Sequence, residues 1–213
     1  GANVNTPFIS APPLSSFGLD VAGDGTIATV DDSGRLILSN VFSREKREVI
    51  DIGMPSRALS LSPDGTLAAV GFGLEHKTKA SVIAGQWSII NTSNGQVIGC
   101  RRDVRRHITY IKWHSGGERV AVGSRDGNVL VYHLLAEPGA VKVDIQLLST
   151  IDILSFPPQF DVSRDGKYLR VNTESRELVY FDSDPGIRIK EASRLRDEEW
   201  DTATCIYEWG VQG

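Results

Sequence analysis

The side chains in this chain that could do chemistry are few, and their spacing decides what they are for. His76, His107, His114 and His133 fall in four separate segments, and no His-x-Glu-x-x-His or Cys-x-x-Cys spacing occurs. Those spacings put two ligands at one turn or on one face, about 2 Å from a zinc ion. A metal site would have to be assembled from distant segments, so ordinary strand and loop histidines are expected. The acid pairs Asp31 with Asp32 and Asp182 with Asp184 have the chemistry of a general acid and base. Aspartate in a turn more commonly accepts hydrogen bonds from its own backbone, and that role is expected here. No Gly-x-Ser-x-Gly elbow and no lysine-bearing phosphate loop is present. Gly71-Phe72-Gly73 lacks the third glycine and the following helix of a nucleotide fingerprint. Catalytic, cofactor-binding and metal-binding residues are therefore all expected to be absent, and the chain is not expected to be an enzyme.

Two thiols, Cys100 and Cys205, cannot build a disulfide scaffold or a four-cysteine zinc site. They fit a reducing cytosolic setting, and buried, inert thiols are expected. Asn91-Thr92-Ser93 is formally a glycosylation sequon. Without a basic start and apolar run in the first fourteen residues, it reads instead as a turn leading into Gly95. Trp87, Trp113, Trp200 and Trp209 stand in strand-like contexts and are expected to pack rather than to recognise.

One dense basic run remains, Arg101-Arg102-Asp103-Val104-Arg105-Arg106-His107. It sits on an acidic background of 23 Lys and Arg against 27 Asp and Glu, a net charge of −4. That balance argues against a general nucleic-acid coat or a basic membrane-surface protein, because both need a positive field. The run is either a solvated connecting loop or a contact for an acidic partner. In the second case Arg101, Arg102, Arg105 and Arg106 carry it.

The elements that position these residues show in the punctuation. Twenty-one glycines against one methionine and seven phenylalanines point to tight turns rather than helical bundles. Hydrophobic residues make up 40% of the 213, enough for a real core, and none of the apolar runs nears a membrane span of roughly 18 residues. Four segments share one plan of strand, small-residue turn, strand, turn and strand. Their equivalent glycines are Gly25, Gly65, Gly117 and Gly166, separated by 40, 52 and 49 residues. Asp-Gly and Gly-Gly supply the positive φ of a tight hairpin cheaply. The spacing is the roughly 40–50 residue period of a four-stranded propeller blade. Fourth strands are expected at 48–53, 97–101, 145–150 and 187–192. Residues 73–86 read as a surface loop, and 188–200 is the best, weak, helix candidate.

The repeats resemble WD40 blades, although the Trp-Asp pair that ends the third strand in that family is replaced by Ser39-Asn40, Ile90-Asn91, Tyr132-His133 and Phe181-Asp182. The stretch "AVGSRDGNVLVY" and the terminal Arg196, Asp197, Trp200, Thr204, Cys205, Gly210, Val211 and Gly213 are more specific. Together they resemble the echinoderm microtubule-associated-protein-like family over roughly residues 15–213. The fold class expected is all-β, a partial WD40-type propeller of about four blades. It would have an irregular arm at 1–14, blades over 15–213 and the start of a further strand at 203–213. The resemblance implies a piece of a longer cytoplasmic and cytoskeletal protein, able to oligomerise, that binds protein partners, tubulin or microtubules among them, with no cofactor, nucleic acid or membrane. The alternative is a generic WD40 scaffold that assembles other complexes without touching tubulin.

Overall fold

A computed structural model describes residues 16–43, 46–73, 84–135, 141–154, 157 and 159–206. The arm at 1–14, His76, Trp209 and the end of the terminal stretch, 207–213, lie outside the described residues. The rest forms four four-stranded antiparallel sheets, each in simple meander order. The first blade is β1 (Ser16–Val21), β2 (Thr26–Asp31), β3 (Arg35–Asn40) and β4 (Lys46–Asp51). The second is β5 (Ser56–Leu61), β6 (Leu67–Phe72), β7 (Gln86–Asn91) and β8 (Val97–Arg102). The third is β9 (Ile108–Trp113), β10 (Arg119–Ser124), β11 (Asn128–Leu135) and β12 (Asp144–Asp152). The fourth is β13 (Gln159–Val162), β14 (Tyr168–Asn172), β15 (Leu178–Asp182) and a short β16 (Arg188–Ile189).

The repeated glycines make the repeated turns. Gly25, Gly65, Gly117 and Gly166 have φ between +72° and +82°. Each amide donates to the carbonyl three residues back, on Ala22, Ser62, His114 and Ser163, at 2.9–3.0 Å. A side chain at these φ values would be strained, which is why the turn chemistry recurs.

Blades pack face to face through apolar layers. One joins Ala28, Val30, Leu36 and Leu38 of the first blade to Leu59, Leu61, Val70 and Phe72 of the second. A second layer runs from Trp87 and Ile89 to Ile111, Trp113 and Tyr132, and a third from Val129 and Val131 to Phe160, Val162 and Val171. Small residues let the sheets approach: a Cβ on Gly71 would lie 2.5 Å from Ile108 Cγ2.

The 188–200 stretch is a two-residue strand followed by one turn of 3-10 helix, Ala192–Leu195. With Trp200 and Cys205 it covers the outer face of the fourth blade over Leu178 and Tyr180. Residues 203–206 join no strand ladder among the described residues. Their amides donate instead to side chains, Thr204 and Cys205 to the Asp161 carboxylate and Ile206 to Asn172 Oδ1.

Candidate protein-interaction surface

The basic run begins on β8, the outermost strand of the second blade, and continues through the link into β9, the innermost strand of the third. Register sets which way each arginine faces. Arg101 pairs with Trp87 and so lies on the face turned to the third blade, while Arg102 pairs with Gln86 and lies on the other. Arg101 forks onto Asp103, Nε to Oδ2 at 2.9 Å and Nη2 to Oδ1 at 3.2 Å. Tyr132 donates its hydroxyl to the same Oδ2 at 3.0 Å. The hydrogen bond to Asp103 raises the Arg101 pKa further, and burial pushes the Tyr132 phenol well above its usual value with the Asp103 charge adding to it. Arg101 therefore serves chiefly to tie the link to the sheet.

Beyond it the link alternates anchors with projecting charges. Val104 and His107 are buried, and Arg102, Arg105 and Arg106 are exposed. Arg102 Nε donates to the Ala84 carbonyl at 3.1 Å. The Arg105 amide donates to Asp126 Oδ2 at 3.2 Å, and Arg125 N donates to the His107 carbonyl at 3.1 Å. The Val104 carbonyl lies where a side chain on Gly85 would stand, so the glycine lets the link pack closely against the turn before β7. Three guanidinium groups are thus presented from a pinned backbone. Pinning matters because a fixed array loses less entropy when it meets a partner.

The other candidates go to structural roles. Asp31 accepts from the Ser33 and Arg35 amides and from the Arg35 guanidinium, and these bonds outweigh the desolvation that raises its pKa, leaving it lowered. Asp182 accepts from the Asp184 amide, and Asp184 pairs with Arg119 at 2.6 Å. His114 Nε2 lies 3.0 Å from the Arg164 carbonyl and 3.9 Å from Asp201, and His133 lies 3.8 Å from Glu118. Among the described residues no group of three His, Cys, Asp or Glu side chains is placed to hold a metal ion. Thr92 of the sequon is buried, its hydroxyl donating to the carbonyls of Gly65 and Thr66, as a turn requires. Trp87 and Trp113 are buried in the layer between the second and third blades.

One expectation needs correction. Cys205 is buried, its thiol pushed up to about 12 by burial and the Asp161 charge, but Cys100 is exposed. It stands on β8, and among the described residues no further strand joins the sheet beyond it.

Sequence reasoning also missed Asp161. Fully buried on β13, it accepts from Arg170 Nε at 2.9 Å, from the hydroxyls of Thr202 and Thr204, and from the amides of Thr204 and Cys205. Arg170 lies over the Trp200 ring, 4.7 Å from its centroid. The available signal was Arg170 itself, which stands on a strand where the equivalent positions of the other blades hold Thr29, Ala69 and Ala121 and which lies opposite Asp161 in the ladder.

Comparison with known proteins agrees with this architecture. A family model described as the echinoderm microtubule-associated protein second beta-propeller matches residues 17–213. Echinoderm microtubule-associated protein-like 2 of Homo sapiens is 28% identical over 75% of this chain and 22% of its own length. The Rattus norvegicus protein of the same name is 28% identical over 83% of this chain and 26% of its own length. The chain thus spans about a quarter of these relatives. Among solved structures, the Cps50 (Swd1) beta-propeller domain of Myceliophteria thermophila superposes with a TM-score of 0.56 at 11% identity, covering 82% of this chain and 71% of that one. With its repeat turns, its four blades and a family match over nearly its whole length, the chain belongs to the echinoderm microtubule-associated protein family, as part of the second beta-propeller.

Proposed function

We propose that this propeller segment is a non-enzymatic protein-interaction module of a cytoplasmic, cytoskeletal protein, and that it contacts acidic surfaces of tubulin or microtubules through the basic run. The observation that carries the reading is the pinned array of Arg102, Arg105 and Arg106 on a chain of net charge −4. A net-acidic body is repelled by an acidic partner, so attraction has to come from a local patch. Each exposed pair contributes only about 0.2–1 kcal/mol, and several arginines must act together. Family membership supports the choice of microtubules over an arbitrary acidic protein.

Co-sedimentation with polymerised tubulin tests it. The wild-type chain is expected to pellet at low salt and to be released as ionic strength rises, because such contacts are screened over a Debye length of about 8–10 Å. Joint replacement Arg102→Glu, Arg105→Glu and Arg106→Glu is expected to abolish pelleting without moving the melting temperature, since none of the three guanidinium groups is buried. Pelleting of the triple variant at wild-type levels would leave the run a solvated loop and favour a scaffold that does not touch tubulin.

A further inference from the structure

The outermost strands of the second and third blades do not meet along their whole length. Between β8 and the start of β12 lies a groove of about 570 Å³, lined by Val97, Gly99, Cys100, Val141, Val143 and Ile145. Two apolar side chains stand open at it, Val97 at 55% exposure and Val141 at 82%. Isolated exposed valines are ordinary, but two flanking a cleft give it an apolar lining. Gly99 keeps its floor low: a Cβ there would lie 2.9 Å from Ile145 Cδ1.

The groove also borders a strand edge. The Val143 amide donates to the Ile98 carbonyl at 2.8 Å, at the bulge that leaves Ile98 unpaired between Val97 and Gly99. Asn91 bonds across the turn between β7 and β8, so Ile89 and Trp87 face Gly99 and Arg101 along the ladder, and Cys100, opposite Ser88, turns its N–H and C=O to the outer edge. Outside the β7–β8 ladder neither group has a backbone partner among the described residues. Charge selects the occupant. On the third-blade wall Lys142 and Asp144 offset one another, and Arg101 is matched by Asp103. Arg105 and Arg106, exposed in the link that follows β8, add positive charge beside the end of that strand.

We infer that this groove binds an extended acidic segment of a protein partner, added as a strand along the edge of β8 at Cys100, with alternate apolar side chains in the cleft and alternate carboxylates toward the arginines. Edge strands recognise peptides in this way, the backbone giving affinity and alternate side chains giving specificity. The inference rests on the proposed reading of the basic run and adds a site, a backbone geometry and a sequence pattern to it.

Cys100 reports on occupancy, because it is exposed and Cys205 is buried. The probe is an N-acetylated octapeptide of alternating valine and glutamate. Its controls are a peptide of the same composition with the valines and glutamates in separate blocks, and the alternating peptide N-methylated at every second amide on its pairing edge. The alternating peptide is expected to slow alkylation of Cys100 at least tenfold at saturation, and both controls to protect less than twofold. Val97→Asp with Val141→Asp, both at exposed positions, is expected to remove the protection while melting is unchanged. Equal protection by all three peptides, or binding of the alternating peptide with Cys100 still reacting at its free rate, would overturn the groove while leaving the basic run intact. No binding of any acidic peptide by a chain that still pellets with microtubules would also overturn the groove alone. No binding together with no pelleting would overturn both readings.

Discussion

Asp161 is fully buried and accepts five hydrogen bonds. Burial raises the pKa of its carboxyl, but the hydroxyls of Thr202 and Thr204 and the amides of Thr204 and Cys205 outweigh that, and the net shift is downward. A carboxylate whose folded pKa lies below its unfolded value of about 3.9 stabilises the fold above that value and loses the contribution as pH falls through the folded one. The melting temperature is therefore expected to fall as the pH is lowered from about 5 to 2, and to fall less in Asp161→Asn. At neutral pH the same variant leaves Arg170 buried without its counter-charge, a loss of about 3–5 kcal/mol, or roughly 10 °C in a chain of this size. Differential scanning calorimetry across pH checks both parts. A second residue-level expectation concerns the thiols: one alkylates in the native chain and two after denaturation, a difference that mass spectrometry counts. The sequence marks Arg170 as out of place among its equivalents but does not name the partners of Asp161 or Arg101. Asp161 is held from a segment some 40 residues away, and Arg101 is claimed by a neighbour whose direction only the fold decides.

At the scale of elements, the repeat was open to reading because its cause is local. A turn that needs positive φ forces glycine, and the glycines at 25, 65, 117 and 166 marked every first hairpin. Fourth strands were legible as well, since β4, β8, β12 and β16 overlap all four expected segments. The exposure of Cys100 was not, because inner and outer strands share one alternating pattern and only blade order separates them. Gly71 and Gly123 hold equivalent places six residues after their turn glycines, both against the following blade. A Cβ on Gly71 would stand 2.5 Å from Ile108 Cγ2, and one on Gly123 would stand 2.9 Å from the Phe160 ring. Overpacking of this kind costs about 1–3 kcal/mol. Gly71→Ala is expected to destabilise the chain more than Gly123→Ala in urea titrations. The reverse order would mean that the β-branched Ile108 yields more readily than the ring.

Among the described residues, the first and fourth blades are covered differently. At the fourth blade, residues 192–206 lie over the outer face. At the first blade, Leu19 is 66% exposed and Val21 55%, whereas Leu59 and Leu61 at the same repeat positions of the second are 6% and 4% exposed. The equivalent Ile111 and Trp113, and Phe160 and Val162, are buried too. A face buried in three blades thus presents two apolar side chains to solvent in the first. The isolated chain is expected to self-associate in light scattering, and Leu19→Lys with Val21→Lys to shift it toward monomer with little change in melting temperature. Microtubules from which the glutamate-rich tails have been removed by limited proteolysis test whether the arginine array meets acidic tubulin. At low salt, the wild-type chain is expected to bind them at least tenfold more weakly than intact microtubules, and the Arg102→Glu, Arg105→Glu, Arg106→Glu variant to bind neither. Equal binding of the wild-type chain to tailed and tail-less microtubules would rule out the arginines as a contact for the tails.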